Sequence, residues 1–344
     1  MKTEQVAIDD GHRNTKGAQL GPTGPINMLM ETNLVRGEPS SLGGDCNLTF
    51  TTKDEEGSEE YFTVLNEIKF GDREVLVDTH NESYLSSSAN RVMVHAMLLE
   101  MGLAGKEVDL ITTLPMQRYF KPNGEANSEL INERNKSLSL PVSNEKGESV
   151  LVKSCTQVPE GFAAFINRGY KLKSANGKIS IGKDESLFNK DILLFDFGGQ
   201  TTDSAVISNG KLVSPKSMTG EGAGMLSLHE CIINEFQTYR KNISPKEVDE
   251  IIKTGMFTPS KMNPENSIDV SEKVSKAVRT TFGPAIEKIL QRTPISNFDL
   301  GFCTGGGASV AMQHNLIDVA FEMDKDPLFG NANGALKYLL LTKK

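Results

Sequence analysis

Two stretches of this sequence place an aspartate where an apolar run turns through glycine into small polar residues. The first is Val6 to Leu20, "VAIDDGHRNTKGAQL", with Asp9 at the turn. The second is Asp191 to Ile207, "DILLFDFGGQTTDSAVI", with Asp196 there. A glycine-rich hairpin exposes successive backbone N–H groups, and neighbouring hydroxyls add donors, so such a turn can hold phosphate oxygens with no Cβ in the way. An acid at the strand end would repel phosphate unless a cation lies between. Two such acids therefore call for Mg²⁺, held largely through water by Asp9 and Asp196, with the phosphates of a nucleotide completing its shell. Arg13 and Lys16 in the first hairpin can balance charge.

Two further glycine-rich connections belong to the same chemistry. In "CTGGGAS", Gly305, Gly306 and Gly307 join a strand to a helix, which lets backbone approach a flat ring or a helix N-terminus face an anion. "GEGAG", Gly220 to Gly224, precedes a helix starting near Met225. Three better-known motifs are excluded. Asp196-Phe197-Gly198 spells the metal motif of protein kinases, but no HRD loop, APE segment or strand lysine accompanies it. "GKISIGKD" is a residue short of a Walker A loop, puts Asp184 where a magnesium-binding hydroxyl belongs, and reads as a surface hairpin. Gly220 to Gly224 lacks the strand–turn–helix unit and ribose-binding acid of a dinucleotide fold.

The elements that must position these turns alternate between strand and helix, so the fold class is α/β. The chain has 344 residues, enough for two cores. The Asp-Gly turns recur about half a chain apart, which predicts duplicated domains. Domain I is expected over 1–190, with a small exposed subdomain about 34–85 and the chain end 325–344 returning to it. Domain II is expected over 191–324, with a helical subdomain about 226–292. Gly21 to about Glu60 reads as turn and loop, "YFTVLNEI" and "REVLVDT" as strands joined at Gly71-Asp72, and Ala89 to Gly105 as a helix in which His95 is packed. Ser271 to Gln291 reads as a long helix bent at Gly283-Pro284. A net charge of −8 argues against direct nucleic-acid binding. The cysteines Cys46, Cys155, Cys231 and Cys303 are scattered, without metal-ligand spacing. No signal peptide or membrane span is read, so a cytoplasmic protein is expected.

"IDDGHRNTK", "LLFDFGGQTTDSAVI", "GFCTGGGASV" and "NANGALKYL" resemble the two phosphate segments, the adenosine segment and the closing helix of the superfamily of actin, hexokinase and the heat-shock chaperones. With "VDLITTLPMQRY" and "VPEGFAAF", the order is most similar to bacterial ParM (StbA-type plasmid segregation) proteins. The resemblance implies an actin-like, ribonuclease H-like fold with a nucleotide cleft between the duplicated domains. It also implies an ATPase that polymerises with itself and moves plasmid DNA through a DNA-binding adaptor. ATP, or GTP, and Mg²⁺ are the implied cofactors. Asp9 and Asp196 would place the metal's waters. Asp10, Gly11, Asn14, Thr15, Lys16, Gly198, Gly199, Gln200 and Thr201 would line the phosphates. Gly305, Gly306 and Gly307 would line the adenosine, and Glu221 with Gly222 the ribose. Gln157, or else Glu160, would position the attacking water, in a segment where the ParM pattern has an acid and this chain has Thr156-Gln157. A small-molecule kinase of the same fold is the alternative, but no substrate-directed base is legible. A chaperone-like switch lacks a substrate domain after the nucleotide domain.

Overall fold

The computed structural model describes residues 3–37, 48–54, 56–66, 76–79, 81, 83–175, 178–213, 217–260, 262–318 and 320–343. The expected Gly71-Asp72 turn, Arg73 to Val75 of "REVLVDT", and Cys46 lie outside them. The chain divides into two compact units, one of Met1–Asn189 with Phe329–Lys344 and the other of Lys190–Leu328.

In the first unit, β1 (Glu4–Asp10), β2 (Asn14–Leu20), β3 (Pro25–Glu31), β7 (Glu107–Leu114) and β9 (Leu151–Pro159) form a sheet in the order β3-β2-β1-β7-β9. The β1–β2 and β2–β3 pairs are antiparallel, while β1–β7 and β7–β9 are parallel. A second, antiparallel sheet of β4 (Leu34–Arg36), β5 (Leu48–Lys53), β6 (Glu59–Val64) and β8 (Val142–Asn144) runs in the order β4-β6-β5-β8. The reading of Gly21 to Glu60 as loop is thus corrected. Among the described residues, Gly21, Pro22 and Gly24 stand in the turn before β3, and Asp54, Glu56 and Gly57 in the turn before β6, with short strands between. The helices are α1 (Ser88–Glu100), α2 (Met116–Tyr119), α3 (Ser128–Leu138), α4 (Phe162–Gly169), α5 (Glu185–Phe188) and, at the end of the chain, α10 (Gly330–Thr342). A small hairpin, β10 (Tyr170–Ala175) with β11 (Lys178–Lys183), follows α4.

The pleat of β1 assigns its residues to two cores. Val6 and Ile8 pack with Val94, Met97 and Leu98 of α1, whereas Ala7 packs with Ala163 of α4 and Ala332, Ala335 and Leu336 of α10. Small residues let the second core close tightly. A Cβ on Gly334 would lie 1.7 Å from the Ala163 carbonyl oxygen, so "NANGA" is the face on which α10 meets α4. His95 is buried in α1, its Nε2 3.0 Å from the Leu138 carbonyl oxygen, and burial lowers its pKa to about 4.

The second unit repeats the first sheet. Its strands β12 (Asp191–Phe197), β13 (Thr201–Ser208), β14 (Lys211–Leu212), β15 (Met218–Glu221), β18 (Leu300–Thr304) and β19 (Phe321–Met323) run β14-β13-β12-β18-β19, with β15 also on β13. The first two strands are antiparallel and β12–β18 and β18–β19 parallel, as in the first unit. The duplication expected from the two turns is therefore a duplication of sheet topology. Helices α6 (Met225–Phe236), α7 (Pro245–Thr254), α8 (Ser271–Arg292) and α9 (Ala308–Gln313) and the pair β16 (Met256–Phe257) with β17 (Ile268–Asp269) complete the unit. Sequence signals set these ends: Ser244 and Glu247 form a capping box with Pro245 between them, and Gly255 closes α7 at φ 68°. Pro284 lies inside α8, which runs on past it to Arg292. Leu193, Phe195 and Phe197 pack with Leu228, Ile232, Phe236 and Phe282, each such side chain contributing about 1.5–3 kcal/mol.

Replacing Gly334 by Ala should destabilise the first unit by about 1–3 kcal/mol, because α10 must lift from α4. Denaturant unfolding measures this, and an unchanged midpoint would show that the two helices are not in register here.

Candidate nucleotide site

In parallel-stranded sheets, ligands gather at the carboxyl ends of the strands. Asp9 is the penultimate residue of β1, and Asp196 is the penultimate residue of β12. Asp10 and Asp9 are adjacent, so the pleat sends them to opposite faces. Asp9 is directed with Ala7, away from α1. Its Oδ2 accepts from Lys16 Nζ at 3.0 Å and its Oδ1 from Thr113 Oγ1 at 3.0 Å. Lys16 is its cross-strand partner. Asp10 is directed with Ile8 into the α1–α3 side. There the fully buried Arg134 brings Nη2 within 2.6 Å of both carboxylate oxygens, and Asn90 Nδ2 donates to Oδ2 at 2.6 Å.

Asp10, expected against the nucleotide, has its carboxylate engaged in an interior ion pair. Removing either side of such a pair strands a buried charge, typically at about 3–5 kcal/mol. Thr15, expected to line the phosphates, is fully buried, and its hydroxyl lies 3.2 Å from that of Thr32. Gln157, expected to position the attacking water, is hydrogen-bonded within the first unit. Its Oε1 accepts from Thr112 Oγ1 at 2.6 Å and Arg134 Nε at 3.0 Å, and its Nε2 donates to Asn135 Oδ1 at 2.9 Å. It sits opposite Thr112, in step with Asp10 rather than Asp9. Glu160, just past β9, is partly accessible, and its N–H donates to the Leu114 carbonyl at 2.8 Å. After it, Gly161 adopts φ 69° and donates its N–H to Asn331 Oδ1 at 3.0 Å.

The turn from Gly11 to Arg13 is braced from behind. The Gly11 carbonyl accepts from Thr32 Oγ1 at 2.9 Å, that of His12 from Thr79 Oγ1 at 3.3 Å, and that of Arg13 from the Thr32 N–H at 2.9 Å. The turn of the second unit is held alike. There the N–H groups of Met225 and Leu226, the first residues of α6, donate to the carbonyls of Gly198 at 3.1 Å and Gly199 at 2.7 Å. Gly224 makes this approach possible, since a Cβ there would lie 2.4 Å from the Gly199 oxygen. The N-terminus of α6 is thus occupied by the hairpin, and in both units the turn's carbonyls are withdrawn into the protein, as an anion site requires. Gly11, Asn14, Lys16, Gly198, Gly199, Gln200 and Thr201 are all partly accessible.

Gly305 has φ 87°, and a Cβ on it would lie 2.4 Å from Asp196 Oδ1 and 2.5 Å from the Phe197 oxygen. Its glycine therefore leaves room for the Asp196 carboxylate. Gly307 is buried and donates its N–H to Phe197 O at 3.0 Å. Gly306, Glu221 and Gly222 are exposed, Gly222 at φ 67°.

Three residues of these sites were not anticipated. Thr113 orients Asp9. Arg134 lies on α3, for which no element had been assigned. Asp203 stands directly opposite Asp196 in the β12–β13 ladder, where the first unit has Lys16 opposite Asp9. A count across the three-residue turn would have found it. Burial raises the Asp203 pKa to about 6, opposed by the hydroxyls of Thr219 and Thr201, of which Thr201 comes within 2.7 Å. Burial likewise pushes the Cys155 and Cys303 thiols up to about 12, which keeps them protonated. Among the described residues, no three His, Cys, Asp or Glu side chains gather to hold a metal, and no helix is long and apolar enough to cross a membrane. The acids nevertheless suit Mg²⁺ held through water: each Asp9 oxygen has one donor and further lone pairs, and the Asp196 carboxylate has the space Gly305 leaves.

Residues 4–170 match the family model for the N-terminal region of the plasmid segregation protein ParM. No curated protein sequence matches the chain. Among solved structures, a 15-stranded ParM filament from Clostridium botulinum is similar at 20% identity and TM-score 0.69, over 99% of this chain and 100% of that one. ParM from Bacillus thuringiensis with ATP is similar at 12% identity and TM-score 0.65, over 100% of both chains. The archaeal actin homologue Ta0583 in complex with ADP follows at 14% identity and TM-score 0.68, over 98% of this chain and 100% of that one. The fold of the chain is actin-like.

Because its folded pKa lies above the ordinary carboxylate range, Asp203 holds its proton in the folded state between about pH 4 and 6, where the unfolded chain releases it. Its contribution to stability is therefore lost as pH rises through that window. Neutral burial of His95 gives the opposite slope, stability falling as pH drops from 6.5 towards 4, and that slope is common to wild type and an Asp203 variant. In metal-free protein, Asp203→Asn should gain on wild type by up to about 3 kcal/mol between pH 4 and pH 7. Denaturant melts at both pH values test it; parallel pH profiles would contradict it.

Proposed function

We propose that this chain, whose residues 4–170 match the ParM N-terminal family model and whose fold is actin-like, is a filament-forming ATPase that segregates plasmid or similar DNA. The observation that carries the reading is the matched pair of acids: each unit ends the first strand of the same sheet with a buried aspartate beside a braced glycine turn. One such turn is common; the same one twice, on two sheets of one topology, fits a nucleotide with magnesium.

In this proposal Asp9 and Asp196 would hold magnesium, largely through water. Magnesium bound there would offset charge on the β- and γ-phosphates. Gly11, Asn14 and Lys16 contact phosphate from the first unit, and Gly198, Gly199, Gln200 and Thr201 from the second. Gly306 lies against the adenosine, and Glu221 with Gly222 against the ribose. ATP is the assigned nucleotide, as in the relative bound to ATP. Glu160 orients the attacking water, since the Gln157 amide is engaged with Arg134, Thr112 and Asn135. Acting in the cytoplasm, the polymer reaches DNA through a separate DNA-binding adaptor, consistent with a net charge of −8.

Light scattering and pelleting with ATP and Mg²⁺ test this reading. Wild type should assemble at tens of micromolar protein and Asp196→Ala should not. Glu160→Gln should assemble with slowed phosphate release, by about 10²-fold or more. A wild-type protein that stays monomeric with ATP, or turnover that appears only with a sugar acceptor, would refute it.

A further inference from the structure

The hairpin of β10 and β11 begins where the match to the ParM N-terminal family ends, at residue 170. Its charge is opposite to that of the chain. Residues 170–183, "YKLKSANGKISIGK", hold four lysines and no acid, in a protein of net charge −8. The pleat separates its two faces. Leu172 and Ile181 are opposite one another and half-buried, while Lys171 and Lys173 are exposed on the other face opposite Gly182 and Ser180. Those small residues leave the lysines uncovered, and neither lysine joins an ion pair among the described residues. Lys183, in contrast, is paired with Glu185 at 2.8 Å.

The turn between β5 and β6 is the converse. Residues 53–60, "KDEEGSEE", hold one lysine and five acids. Asp54 Oδ1 accepts from the N–H groups of Glu56 at 2.9 Å and Ser58 at 2.8 Å. Glu56 and Glu59 are exposed on it. The two patches lie at opposite ends of the first unit's sheet. The basic hairpin is tied by Ser174 Oγ to the Pro22 carbonyl at 3.1 Å, at the β2–β3 turn. That turn is one strand length, about 20 Å, from the Asp9 end. The acidic turn starts at Lys53, whose carbonyl accepts from Arg91 Nη2 at 2.5 Å; the neighbouring Asn90 is the residue that bonds Asp10.

A linear polymer needs a head-to-tail contact, made by two different and complementary patches of one chain. We propose that the basic β10–β11 hairpin of one copy docks on the acidic β5–β6 turn of the next, with Lys171 and Lys173 facing Glu56 and Glu59. This rests on the filament reading above. Opposite charge on separate ends of one unit favours a second copy over nucleic acid, which the rest of this acidic chain would repel.

Charge exchange tests the contact. Lys171→Glu with Lys173→Glu should raise the critical concentration for ATP-driven assembly by roughly three- to ten-fold, as should Glu56→Lys with Glu59→Lys. The chain carrying all four substitutions should recover wild-type assembly, and 0.5 M salt should shrink the differences. ATP binding measured on monomer should be the same for all variants. The contact is overturned if the first pair leaves assembly unchanged, if the fourfold variant is no better than either pair, or if the lysine pair instead abolishes retention of duplex DNA with assembly intact. Wild-type protein that binds ATP and never assembles removes the filament reading, and this contact with it.

Discussion

A carboxylate drawn into a protein interior must find donors, and a β-strand gives its successive residues different surroundings. At the end of β1 these two constraints act on adjacent aspartates. Val6 and Ile8 are committed to the α1 core, so Asp10 follows them to the buried side. There it is tolerable because Arg134 and Asn90 supply charge and hydrogen bonds. Asp9 is left on the other face with Lys16 and Thr113. The Asp10–Arg134 pair fixes α1, α3 and the end of β9 around that strand, and so fixes where Asp9 stands. Arg134 Nη1 extends the same web to the Leu85 carbonyl at 2.9 Å.

The second unit solves the same problem with different residues. Phe195 and Phe197 hold one face of β12, which places Asp196 on the other. Its turn is braced by the first N–H groups of α6, whereas threonines brace the first turn. The two units differ most in what opposes the strand-end acid: a lysine in one, a second buried carboxyl in the other. The cross-strand position therefore carries positive charge in one unit and a titratable proton in the other.

The turns and their acids were legible because glycine, aspartate and hydroxyl residues have narrow reasons to stand together at a strand end. The repeated topology followed from their spacing. The split fates of Asp9 and Asp10 depend on which neighbours reach the α1 core, and that assignment requires the pleat of β1 to be anchored. Arg134 was beyond reach for a different reason: α3, "SELINERNKSL", has little apolar periodicity, and its guanidinium meets Asp10 only through tertiary packing. Gln157 looked catalytic by type and place, yet strand parity put it in step with Thr112 and Arg134. The short strands between Gly21 and Glu60 were hidden because half-buried strands need few apolar residues, and their turns dominate the composition.

In the function proposed above, the two strand-end acids serve one magnesium nucleotide. Calorimetric titration of the monomer with ATP, in Mg²⁺ and in EDTA, measures this for wild type, Asp9→Asn and Asp196→Asn. One site per chain is expected, tightened by Mg²⁺ in wild type, with that tightening lost in either variant. Two independent sites per chain, or a variant whose Mg²⁺ dependence matches wild type, would contradict it.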